Sequence, residues 1–123
     1  MKKDKFIDLA RRAGLAVGEV QDRYFEFDAA VGFRCLAFLY PNPDTGEVMS
    51  LQLYCGIANQ PLLQTVDAWN REMRFVKAYL SPRGELALEL DLATPPDMSV
   101  EHLREYGRIW NLLLSRVAAR FAD

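Results

Sequence analysis

The chain holds one histidine and two cysteines, and none of its seven glycines builds a phosphate-cradling or dinucleotide-binding loop. These shortages exclude most of the chemistry that a small domain could carry. A metal centre needs several side chains at ligand spacing, and His102 has only Glu101 and Glu105 beside it on a predicted helical turn. Neither a nucleophile elbow nor a P-loop occurs. The sequence therefore assigns no catalytic residue, no cofactor and no metal ligand, and the chain is expected not to be an enzyme. Basic charge is not in excess: 15 Lys and Arg against 17 Asp and Glu leave a net charge of −2, without the concentrated basic face that nucleic acid requires. Lys2, Lys3, Lys5, Arg11 and Arg12 gather near the start and are read as the solvated face of a first helix. Long apolar runs are missing too. Asp8 interrupts the stretch around Phe6, Ile7 and Leu9, and residues 109–114 fall far short of a bilayer span. The expected location is the cytoplasm, with no membrane partner.

What is present is an ordinary globular balance: 123 residues, 50% apolar and 26% charged, suited to a single domain over 1–123. Apolar Phe6, Leu9, Ala10 and Ala13 recur at helical spacing over 3–13, with Gly14 as the stop. Tyr24-Phe25-Glu26-Phe27 reads as a strand with Phe25 and Phe27 inward. Pro61 suits the first position of a helix whose buried stripe is Leu62, Val66, Trp69 and Met73. Ser99 is a natural N-cap for a last helix over 99–121, with a wide stripe that includes Leu103, Tyr106, Trp110, Leu113, Leu114 and Val117. Ile109 and Leu112 broaden that stripe, which implies a second neighbour, either the first helix or another subunit. The class is α+β in the order α-β-β-β-α-β-β-α.

Two hairpins can be read to their register. Ser81-Pro82-Arg83-Gly84 suits a type I turn with Gly84 left-handed, closing a three-residue loop. Leu80 then meets Leu86, Ala78 meets Leu88 and Val76 meets Leu90 on one face, while Phe75, Lys77 and Tyr79 face Asp91, Glu89 and Ala87 on the other. A register one residue away would bury Lys77 among leucines, at high cost. The other hairpin joins 33–40 to 48–55 around Pro41-Asn42-Pro43-Asp44-Thr45-Gly46. Met49, Leu51, Leu53 and Cys55 face the core opposite Phe33, Cys35, Ala37 and Leu39. Leu36, Phe38, Tyr40 and Tyr54 fall on the other face, an unusual apolar load for a solvated sheet surface. Either a helix covers them or they form a partner-binding or ligand-binding surface. Cys35 and Cys55 are neighbours on the core face and read as buried free thiols.

The second half of the chain resembles a known family. Val66-Asp67-Ala68-Trp69-Asn70, then Arg74-Phe75-Val76-Lys77-Ala78-Tyr79-Leu80, the Gly84 turn, Leu86-Ala87-Leu88-Glu89-Leu90-Asp91-Leu92 and the helix start Ser99-Val100-Glu101-His102-Leu103 are similar in order and spacing to the YbjN-like bacterial proteins. That family is described as sensory transduction regulators. The resemblance covers about residues 60–121. Of the family's asparagine pair only Asn70 carries over, and Pro95-Pro96-Asp97 replaces the glycines before the last helix. The resemblance implies a fold similar to the type III secretion chaperones, an antiparallel sheet with helices packed on it, in proteins that are often homodimers binding protein segments. It implies no enzymatic activity and no cofactor. The expected function is a regulatory or protein-binding module. The alternatives are a secretion-type chaperone for one partner and a small-molecule sensor with a pocket lined by Trp69, Trp110 and Tyr79.

Overall fold

A computed structural model describes residues 1–30 and 32–121. Its element order is α1 (Lys3–Arg12), β1 (Ala16–Val20), β2 (Tyr24–Asp28), β3 (Arg34–Pro41), β4 (Val48–Ile57), α2 (Leu63–Glu72), β5 (Lys77–Leu80), β6 (Leu86–Ala93) and α3 (Val100–Arg120). The strands form one six-stranded antiparallel sheet in the order β1-β2-β3-β4-β6-β5. The expected order lacked β1. That strand is a sheet edge with four of five residues exposed and Gly18 at its centre, so it has almost no apolar alternation to read.

The second predicted hairpin takes its expected register throughout, and the first takes its expected even register beyond an irregularity next to the turn. At the first, the Asn42 side-chain oxygen accepts from the Asp44 N–H at 2.8 Å and Gly46 takes φ 74°. Leu39 faces Leu51 and Ala37 faces Leu53. The register slips between Tyr40 and Pro41, so Pro41 pairs with Val48 and Met49 is the extra residue. Val48 is therefore the buried residue and Met49, expected in the core, is exposed. At the second hairpin the Gly84 N–H donates to the Ser81 carbonyl at 2.8 Å with Gly84 at φ 76°. Leu80 faces Leu86, Ala78 faces Leu88, and Lys77 faces Glu89.

One sheet face and all three helices share a single core. Phe25, Phe27, Cys35, Ala37, Leu53, Cys55 and Leu88 meet Phe6, Ala10, Trp110, Leu114 and Val117, all at or near zero exposure. Each large side chain so buried contributes about 1.5–3 kcal/mol. The Trp110 indole N–H reaches the Cys35 sulfur at 3.4 Å, which places α3 over β3. A Cβ on the buried Gly107 of α3 would lie 3.3 Å from Leu15, just beyond α1, so that glycine allows the close approach. Neighbours from the first helix region thus account for part of the breadth of α3, while Leu112 stays 43% exposed. Ser99 caps α3 through its side chain, and His102 returns the bond by accepting the Ser99 N–H on Nδ1 at 3.0 Å. The helix at 63–72 differs from expectation at its start. Leu62 is its N-cap and is 71% exposed, Pro61 lies before the helix, and only Val66 and Trp69 are fully buried.

The join between α2 and β5 departs most from a regular strand. Phe75, expected to alternate with Lys77 and Tyr79, has φ 77°, and the Val76 N–H donates to the Arg74 carbonyl at 3.0 Å. Positive φ with an i to i+2 bond defines a γ-turn of the strained kind, costing about 1–3 kcal/mol for a non-glycine residue. β5 therefore begins only at Lys77. Two residues at the end of α2 hold the turn. The Trp69 indole N–H donates to the Val76 carbonyl at 3.1 Å. The Asn70 amide donates to the Ala78 carbonyl at 2.7 Å and accepts the Ala78 N–H at 2.9 Å, standing in for a missing neighbour strand. Replacing Asn70 by Ala removes both partners of Ala78, and urea unfolding is expected to show a loss of about 1–3 kcal/mol. An unchanged midpoint would show that water replaces the amide without cost.

Candidate functional site

The outer sheet face is built by the residues that alternate with the core set. Tyr24 on β2 faces Phe38 on β3, Leu36 on β3 faces Tyr54 on β4, and Tyr54 in turn faces Glu89 on β6. The rings form a ladder, with Tyr24 and Phe38 centroids 5.6 Å apart and Phe38 and Tyr54 centroids 6.1 Å apart in an edge arrangement. None of Leu36, Phe38, Tyr40 and Tyr54 belongs to the core that holds the buried side chains of the helices. Leu36, Phe38 and Tyr54 are half-buried by one another's company, and Tyr40, nearer the hairpin end opposite Ser50, is 48% exposed. All four predicted residues thus lie on one face, three of them contiguous. Tyr24 extends the set. Its alternation with Phe25 and Phe27 was readable, but its place beside Phe38 depends on the β2–β3 register.

Polar groups frame the ladder on both sides. Toward β5 the Tyr79 hydroxyl donates to Glu89 at 2.5 Å, and the Lys77 ammonium lies 3.2 Å from the same carboxylate and 5.6 Å from the centre of the Tyr79 ring. Burial and then the Glu89 carboxylate push the Tyr79 phenol well above its ordinary value. Gln52 donates to Asp91 at 2.9 Å. Toward β2, Arg34 holds Asp28 at 2.8 Å and Glu26 at 3.1 Å, which raises its own pKa further. The arrangement is a hydrophobic strip with fixed hydrogen-bonding groups at its borders. It offers contact area and fixed hydrogen-bonding orientation.

The other residues with chemical potential resolve into structure. His102 is exposed and spends Nδ1 on the helix cap. Cys35 and Cys55 are free and buried. The neighbouring Cys55 thiol and the Trp110 N–H hold Cys35 below the usual thiol range, while the neighbouring Cys35 and burial push Cys55 far up. Among the described residues no group of three or more His, Cys, Asp or Glu could hold a metal ion, and no helix is long and apolar enough to cross a membrane. Trp69 and Trp110 are fully buried, and Tyr79 lies across the sheet with Glu89, so the three do not line one pocket.

Fold and surface together define a small α+β domain with three helices, an open antiparallel sheet and an aromatic outer face. The chain belongs to the YbjN family, described as "putative bacterial sensory transduction regulator", whose sequence model matches residues 6–123. The match extends into the first half of the chain, beyond the residues from about 60 to 121 that carry the motif resemblance. No curated protein and no solved structure matches the chain.

The Tyr79 phenol gives a pH signature. Its pKa is raised in the folded state, so the folded protein keeps this proton when the unfolded chain has lost it. The stabilisation is complete below roughly pH 10, the unfolded value, and is lost as pH rises toward the folded value. Urea midpoints measured upward from neutral pH are expected to fall more steeply for the wild type than for Tyr79→Phe. Parallel curves would contradict the assignment.

Proposed function

We propose that this chain is a non-enzymatic regulatory module that binds protein through the outer sheet face, with Leu36, Phe38, Tyr40 and Tyr54 at its centre and Tyr24 at its flank. The observation that carries the reading is the aromatic ladder standing outside the core on a face that no buried helix residue joins. Partly exposed Tyr and Phe side chains on a rigid sheet give large contact area at low entropic cost. The borders argue for a protein over nucleic acid, since Glu26, Glu89 and Asp91 place carboxylates along the strip. The setting we propose is the bacterial cytoplasm.

A homodimer using this face belongs to the same proposal. The secretion-chaperone reading has one specific support: β1 is a sheet edge with four of its five residues exposed, to which an extended segment could add as a strand.

The test is the double variant Phe38→Ser with Tyr40→Ser. Its circular dichroism is expected to match the wild type, because neither side chain belongs to the core. Capture of the native partner from the host, identified by affinity purification with the wild type, is expected to disappear. Unfolding of the variant would place these side chains in the core, and retained capture would move the site elsewhere. Sedimentation at micromolar concentration checks the dimer, where a pure 14.1 kDa species would remove it while leaving a different protein partner in place.

A further inference from the structure

A second surface lies on the helix side, where Phe75 projects from its γ-turn. Met73, Phe75, Ile109, Leu112 and Leu113 line a cleft of about 510 Å³ between the end of α2 and the flank of α3. Phe75 is 64% exposed and Leu112 43%, so the lining is apolar and open to water. Met73 also borders two adjoining clefts of about 400 and 330 Å³, where Asn70, Lys77, Arg116 and Arg120 bring polar groups to the lining. The α3 residues on the cleft, from Glu105 to Arg116, follow one helical stripe about 16 Å long.

The charges on the rim do not cancel. Glu105 holds Arg108 through two bonds of 2.5 and 2.9 Å, and Glu72 holds Arg120 at 2.9 Å. Among the described residues, Arg74 and Arg116 have no carboxylate partner. The Arg74 guanidinium sits 5.5 Å from the centre of the Phe75 ring, which occupies its face and leaves its N–H edge for an anion. A residue kept at positive φ so that its ring stands in water is a feature that folding alone does not require. The volume lies in the range of small-molecule sites, lined by apolar groups with a few polar ones to orient the ligand.

We propose that this cleft binds a soluble apolar monoanion of the medium-chain carboxylate class, its tail along Met73, Phe75, Ile109 and Leu112 and its carboxylate at Arg74 and Arg116. The site is separate from the outer sheet face and stands or falls independently of it.

Calorimetric titration of the full chain with dodecanoate, kept below its micelle concentration, tests this. Saturable one-to-one binding is expected, with dodecyltrimethylammonium weaker by roughly tenfold or more. Asn tolerates a positive φ better than most side chains, so the Phe75→Asn variant is expected to fold and to lose roughly tenfold in affinity. Arg116→Glu is expected to lose as much. Absence of saturable binding, equal binding of the cation, or unchanged affinity in a folded Phe75→Asn variant would each overturn the proposal. So would loss of dodecanoate binding on Phe38→Ser, which would place the ligand on the other face.

Discussion

Every large element of this protein is buried against the same side of one sheet, and that one-sided burial shapes the rest. A strand presents alternate side chains to opposite faces, so covering one face commits every second residue of five strands to the core. Phe25, Phe27, Cys35, Ala37, Leu51, Leu53, Leu88 and Leu90 satisfy that requirement, and Phe6, Trp110 and Val117 close over them from the helices. The remaining residues of the same strands are released from the core. On most antiparallel sheets the released positions are polar. Here Tyr24, Leu36, Phe38 and Tyr54 occupy them, which is the strongest reason to look for function on that side.

The sheet must also end somewhere, and the β5 edge is managed without a seventh strand. Asn70 presents one acceptor and one donor to Ala78, and Trp69 fixes Val76 just before it. Both side chains sit at the end of α2, so helix and edge are positioned as a unit. The turn between them places Phe75 at φ 77° with its ring in water. The only asparagine shared with the family motif therefore has a structural duty, and the aromatic residue a few positions later is the one that folding leaves unexplained.

Much of this was legible in the sequence wherever a turn residue and a charge agreed. Gly84 with the Lys77–Glu89 pair specified the second hairpin, and for the first the turn signal at 41–46 with the alternation of Leu51, Leu53 and Cys55 specified which residues face the core. The two-faced division of β3 and β4 followed, including the four outer residues. The departures share a cause: each depends on contacts between distant segments or on a local break in the period. β1 is held by pairing with β2 and buries little of its own. The slip at Pro41 exchanges Val48 for Met49 in the core. Leu62 keeps the helical spacing but lies beyond the first turn that packs. The γ-turn at Phe75 has no glycine or asparagine to announce it. Trp69 and Asn70 could be singled out, but their bonds to Val76 and Ala78 need the folded edge to appear.

The central claim is that the outer aromatic strip is a free surface of the folded domain and the inner aromatics are not. Hydroxyl-radical footprinting read by mass spectrometry, on a sample shown by sedimentation to be monomeric, measures this directly. The account predicts rapid modification of Phe38, Tyr40 and Tyr54 and strong protection of Phe25, Phe27, Trp69 and Trp110. Protection of Phe38 and Tyr54 equal to that of Phe25 in the monomer would contradict it, because those side chains would then be part of the core.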